Sequence, residues 1–151
     1  EVIWAFEFGT YTRKRFVNSH TTFLIYKCGK PDFNWQSVAE TSQRMRVHDD
    51  RADWRGRTPG TIWHEARIPG NSNEREHTHK AKGRSIIPRS ICERFIRACT
   101  HLDDLVFDPF MGSGTMAMSA KQEGRRYLGY DISEQYVNEV RSLYNDTTNS
   151  D

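Results

Sequence analysis

Asp108, Asp131 and the glycine-rich run between them are the residues of this 151-residue chain whose types and spacing could organise a ligand. The run Asp108-Pro109-Phe110-Met111-Gly112-Ser113-Gly114-Thr115 follows three apolar, β-prone residues, Leu105-Val106-Phe107. Gly112 and Gly114 permit backbone angles and close approaches that a Cβ forbids. Backbone amides in such a turn, reinforced by a helix N-terminus, suit a carboxylate or phosphate. Asp131 lies about 20 positions beyond Gly112, the spacing at which a strand–helix–strand unit sets a carboxylate against the hydroxyls of a ribose. Taken alone, this is a general nucleotide-site signal. The dinucleotide fingerprint wants a third glycine three places after Gly114. Ala117 stands there and is tolerated, so the pattern leaves a nicotinamide cofactor open, although Asp-Pro-Phe ahead of the glycines weighs against it.

Other candidate chemistry is thin. His64, His77, His79 and His101 invite a metal reading, but His77-x-His79 sits in a polar stretch with no Cys or carboxylate partner at ligand spacing. Solvated histidines and no metal are expected. Cys28, Cys92 and Cys99 are odd in number and form no Cys-x-x-Cys. They predict reduced thiols in a cytosolic setting, with Cys92 and Cys99 as small core residues.

The elements that must position the site follow from periodicity. Leu105–Phe107 predicts a parallel strand buried on both faces. Met116 to Lys121 predicts a helix capped by Ser113 or Thr115. Arg126 to Ile132 predicts a second strand ending at Asp131. A final helix starts after Ser133 as cap, with Tyr136, Val137, Val140, Leu143 and Tyr144 as its apolar stripe. Upstream, Pro88 suits the first position of a helix whose Ile91, Cys92, Phe95, Ile96 and Cys99 share one face, with Glu93 and Arg97 paired on the other. Val2–Phe8 and Thr21–Lys27 read as strands that pair as an antiparallel hairpin across an Arg-rich loop. Residues 32–57 lack a sustained period and read as irregular or locally helical. Thr61–His64 is a short strand candidate, Ile68–Asn71 a turn, and residues 73–84 a polar, basic loop.

Charge is uneven. Residues 44–89 hold 11 Lys/Arg against 6 Asp/Glu, and residues 101–151 hold 4 against 9. A basic segment beside a nucleotide-like site is what a nucleic-acid enzyme needs, and equally what a solvated surface shows. No apolar run is long enough to span a membrane. Glu1-Val2-Ile3-Trp4 is not a signal peptide, and a start without Met predicts a piece of a longer protein.

Asp-Pro-Phe-Met-Gly-Ser-Gly-Thr (108–115), followed by Gly-Arg-Arg-Tyr-Leu-Gly-Tyr-Asp (124–131), closely resembles motifs I and II of the beta-class DNA amino-methyltransferases. The helix after Pro88 resembles their motif X, and the likeness runs almost continuously from Trp63 to Tyr144. Arg15-Phe16-Val17-Asn18-Ser19-His20 resembles, more weakly, the stretch that follows their catalytic motif. The resemblance implies an α/β, Rossmann-like S-adenosylmethionine-dependent methyltransferase fold, incomplete here, with an N-terminal antiparallel hairpin. It implies one partial domain: a hairpin and sheet-edge region at 1–43, a basic target-recognition-like segment at 44–86 and a cofactor-binding part at 87–145. Asp108, Phe110, Gly112, Ser113, Gly114 and Thr115 would surround the methionine and ribose end. Asp131, where Glu is common, would accept from both ribose hydroxyls, and Ile132 would pack on the adenine. Double-stranded DNA would be the substrate, methylated at adenine N6 or cytosine N4, in a bacterial or phage-encoded cytoplasmic modification system.

Two departures stand out. The lead-in to motif X is Gly83-Arg84-Ser85-Ile86-Ile87-Pro88, which keeps only the final proline of His-Pro-x-Gln-Lys-Pro. The catalytic Asp/Ser/Asn-Pro-Pro-aromatic motif is missing, because Pro31, Pro59, Pro69, Pro88 and Pro109 are all isolated. In the beta-class order it would precede Glu1, so no catalytic residue is assigned. A missing N-terminal segment, a homo-oligomer, or a non-catalytic module with a vestigial cofactor fold each accommodates that.

Overall fold

Alternation along Val2-Ile3-Trp4-Ala5 buries Val2 and Trp4 and leaves their neighbours partly open, the period-2 signature of a strand covered on one face. In the computed structural model this is β1 (Val2–Ala5). The structure describes residues 1–7, 12–30, 32–68 and 86–146. It divides into two units, Glu1–Glu65 with Arg97–Thr100, and Ala66–Ile96 with His101–Asp151.

In the first unit β1 is the middle of three strands. It pairs antiparallel with β2 (His20–Phe23), Val2 opposite Phe23, and parallel with β3 (Ile62–His64), Trp4 opposite Trp63. The expected hairpin is therefore present and the short strand at 62–64 joins it. The second hairpin strand stops four residues early. Residues past Leu24 have no β1 residue across from them, and Leu24, Ile25 and Tyr26 are exposed. The buried indoles find acceptors, as buried N–H groups must. Trp4 Nε1 donates to Glu65 O at 2.8 Å and Trp63 Nε1 to Gly60 O at 2.7 Å. Residues 32–57 are locally helical as expected. A 3₁₀ turn spans Trp35–Val38 and α1 spans Gln43–Arg46, each opened by a side-chain cap, Asn34 and Ser42.

Helix α2 (Arg89–Cys99) begins directly after Pro88, whose carbonyl accepts from Ile91 and Cys92. Its buried stripe is Ile91, Cys92, Ile96 and Ala98, with Cys99 exposed rather than on the core face. Glu93 pairs back to Arg89 at 3.6 Å. The last turn of α2 belongs to the first unit, where Asn34 N–H donates to Ala98 O (2.9 Å) and Ser37 Oγ to Arg97 O (2.8 Å).

The second unit is built on β4 (Leu105–Asp108) and β5 (Arg126–Gly129), parallel and in register from Leu105–Arg126 to Asp108–Gly129. Helix α3 (Thr115–Gln122) crosses between them, and α4 (Glu134–Asp146) follows. Met111, Ala117 and Val140 form the core, with Tyr127, Val137 and Tyr144 against it. The Lys121 ammonium lies 4.7 Å from the Tyr144 ring centroid and donates to the Tyr144 carbonyl. The strand at 105–108 is not buried on both faces. Leu105, Phe107 and Leu128 are 50%, 56% and 43% exposed, because among the described residues the helices cover only the face of Val106, Asp108 and Tyr127.

Candidate cofactor-binding site

Each strand of the parallel pair ends in an acid or just before one. Asp108 closes β4, and its Oδ1 accepts the Phe110 N–H at 3.0 Å, which bends the chain out of the strand. The ladder then continues past both strands. Tyr130 N–H donates to Asp108 O and Met111 N–H to Tyr130 O, each at 2.9 Å. Asp131 completes the link. Its Oδ2 accepts the Gly112 N–H at 2.9 Å and its Oδ1 accepts the Ser133 N–H at 2.8 Å. One carboxylate thus braces the glycine turn from below and starts α4, whose Ser133 cap receives the Tyr136 N–H at 3.5 Å.

The two glycines do different work. Gly114 has φ +80°, and a Cβ there would lie 2.5 Å from Val140 Cγ2. It is buried, lets α3 approach α4, and occupies the N-cap of α3 in place of the expected Ser113 or Thr115. Those hydroxyls instead lie 3.4 Å from each other. Gly112 has φ +50°, and a Cβ there would meet only the Phe110 carbonyl, at 3.9 Å. It faces open space.

That space is a cleft of about 490 Å³, within the range of small-molecule sites. Asp108, Phe110, Gly112, Ser113 and Thr115 line it, with an apolar wall from Ile87, Cys92 and Met116 and a polar tip from Tyr136. Five of the eight expected site residues therefore share one cleft. The other three do not line it: Gly114 is buried as packing against Val140, Asp131 holds the Gly112 amide, and Ile132 projects fully into solvent.

Cys92 and Tyr127 were not expected at the site. Burial, followed by the Glu93 and Asp108 carboxylates, pushes the Cys92 thiol up to about 12. It is a neutral, apolar wall and not a nucleophile. Tyr127 lies on the Asp108 face of the sheet, and its hydroxyl is where a Cβ on Gly129 would have to be, 2.5 Å away. Burial, then the Asp108 carboxylate, holds that hydroxyl above its usual range. Period-2 reading of Arg126–Gly129 could have placed Tyr127 on this face. The motif X lead-in at 83–85, the basic loop and His77 and His79 lie outside the described residues. Among the described residues no group of three His, Cys, Asp or Glu could hold a metal ion, and no helix is long and apolar enough to cross a membrane.

Comparison with known proteins gives this geometry a context. The type II methyltransferase M1.MboII of Moraxella bovis is 30% identical over 166 residues, covering 95% of this chain and 61% of that protein. M.ScaI of Streptomyces caespitosus, also a type II methyltransferase, is 24% identical, covering 91% of this chain and 47% of that protein. The chain thus spans about half to three-fifths of the length of these two relatives. Among solved structures, PvuII DNA methyltransferase (cytosine-N4-specific) superposes with a TM-score of 0.63 at 18% identity, covering 99% of this chain and 57% of that one. The M1.HpyAVI–SAM complex gives 0.55 at 16%, covering 94% and 57%. At such identities the likeness shows the fold, the Rossmann-like α/β methyltransferase fold expected from the motifs. A family model described as DNA methylase matches residues 1–142, through both the three-stranded sheet and the glycine turn. By that match, which runs over most of its length, the chain belongs to the DNA methylase family.

Proposed function

We propose that this chain is the cofactor-binding and DNA-contacting part of a methyltransferase that moves a methyl group from S-adenosylmethionine to the exocyclic amine of adenine (N6) or cytosine (N4) in DNA. The observation that carries this is the open cleft over Gly112, on a turn whose Gly112 amide is already held by the Asp131 carboxylate. The residues fit the group. Each Asp131 oxygen holds one backbone N–H, and a carboxylate has about four acceptor sites, so lone pairs remain for ribose hydroxyls. The amides opening α3 lack intrahelical acceptors and suit the amino-acid carboxylate. Phe110, 87% exposed at the rim, and Ile132 offer apolar faces to the methionine and adenine ends, respectively. The polar Ser113 and Thr115 hydroxyls line the same wall.

When bound, that cofactor supplies an electrophilic methyl on a sulfonium. The role of this chain is to bind and orient it. Positioning supplies much of the rate in such transfers, since a fixed in-line geometry removes the entropy of encounter. The acceptor for the amine protons is assigned to a Pro-Pro motif on a further segment of the same protein or on another subunit, because no two prolines of this chain are adjacent. The cytoplasm of a bacterium, within a restriction-modification system, is the setting this implies. The same lack of adjacent prolines favours a second reading, a binding module that keeps the cofactor fold without catalysis.

Titration calorimetry tests the proposal. Saturable binding of S-adenosylmethionine is expected, with none of NADH. Asp131→Ala should lower affinity at least tenfold by removing a charged acceptor (about 1.5–3 kcal/mol). Failure of both this chain and any longer form to bind would overturn it. Methyl transfer to DNA by the 151 residues alone would refute the binding-module reading.

A further inference from the structure

We propose that the turn Asp49–Arg57 is a base-contacting element of the first unit, in which Trp54 stacks on a nucleobase unstacked from duplex DNA. The inference rests on the reading that this chain contacts DNA, and it assigns the residue that does so. Trp54 is 84% exposed, whereas Trp4 and Trp63 are 2% and 8% exposed. A lone exposed apolar side chain is ordinary. This one sits on a backbone that is fixed several times over. Asp49 and Asp53 repeat one device, Asp-x-Arg. Asp49 Oδ1 accepts the Arg51 backbone N–H at 3.0 Å, and its carboxylate takes the guanidinium side-on at 2.9 and 2.8 Å. Asp53 does the same for Arg55, at 3.0 Å for the backbone and 3.0 and 2.8 Å for the side chain. Arg57 pairs with Glu40 at 2.6 Å, and their backbones form an antiparallel bridge. Gly56, at φ +90°, lies so close that a Cβ would meet the Glu40 carbonyl at 2.7 Å. The Arg55 guanidinium lies 5.9 Å from the Trp35 ring centroid.

The result is an exposed indole on a turn whose Arg51 and Arg55 guanidinium groups are each held by a carboxylate. Each side-on pair leaves Nη1 directed away from its carboxylate, and the Arg51 side chain is 77% exposed. An exposed indole on such a turn offers a face to a base, and the held guanidinium groups offer planar donors to base edges or adjacent phosphates. The carboxylates also decide what kind of contact this is. They cancel the charge of Arg51 and Arg55, so the turn contributes little counterion release, and its contribution comes from stacking.

The test is duplex binding by the intact chain, read by fluorescence anisotropy across a salt series. Trp54→Ala should weaken binding about 5- to 100-fold, the range for loss of one base–aromatic stack, with the slope of log K against log salt unchanged. Trp54→Phe should keep most of the affinity, and the exposed tryptophan emission of the wild type should be quenched by DNA. Trp54→Ala binding as tightly as wild type, or Phe failing to rescue, overturns the assignment while DNA binding stands. No duplex binding by the wild type overturns the assignment together with the DNA reading.

Discussion

Gly112 and Gly114 are two residues apart and carry opposite liabilities. At Gly114 any side chain drives into Val140 and the backbone is left-handed. Gly114→Ala should cost about 1–3 kcal/mol through overpacking, seen as a lower denaturation midpoint. At Gly112 there is room, and only the positive φ counts against a side chain. Gly112→Ala should cost about 1–2 kcal/mol of stability, from the left-handed backbone alone, and lower S-adenosylmethionine affinity, because the added methyl points into the cleft. A variant pair showing equal stability losses would contradict the division of roles. Sequence made both glycines legible as a turn and could not separate them, since the difference lies in what each faces, and α4 comes from far along the chain. Cys92 supplies a pH dependence. Its thiol titrates near 9.0 when unperturbed and near 12 in the folded protein. Below pH 9 both states hold the proton and stability is insensitive to it. Above pH 9 the unfolded thiol ionises first, so stability falls as pH rises toward 12. Tyr127, raised for the same reason, adds to the loss above its ordinary value of 10. Melting temperatures should therefore decline on the alkaline side, and Cys92→Ala should make that decline shallower while lowering stability at neutral pH.

Among the elements, those set by local chemistry were legible. Pro88 marks the start of α2, Ser133 that of α4, and β4, α3 and β5 fall where period and glycine turn put them. What escaped depends on neighbours. The strand at 21–27 has the composition of seven β residues, but only Thr21, Thr22 and Phe23 find a partner, with His20 pairing ahead of them. Leu105 and Phe107 are apolar, as in a strand covered on both faces, but composition cannot say which face is covered. The basic segment was legible as charge and not as structure. Three of its arginines are engaged by Asp49, Asp53 and Glu40. Arg51→Ala should change DNA affinity chiefly through lost hydrogen bonds, with a smaller change in salt slope than an unpaired arginine would give, measurable in the same salt series.

For the whole molecule, the uncovered sheet is the dominant feature. Leu105, Phe107 and Leu128 lie on one face of a two-stranded sheet whose outer edges have no strand partner among the described residues. Such a face and edge invite association. Size exclusion should show concentration-dependent self-association of the 151-residue chain, relieved by Leu105→Lys with Leu128→Lys. A sharp monomer with a cooperative melt would contradict it. Neither leucine lines the cleft, so the double variant should still bind S-adenosylmethionine.

The grip of Asp131 on the Gly112 amide has a kinetic side. On the proposed reading that side chain is oriented by the backbone before any nucleoside arrives, so uptake would add hydrogen bonds to an acceptor already in place. Capture would then resemble docking onto a finished mould, and stopped-flow binding should show a rate that rises linearly with ligand concentration.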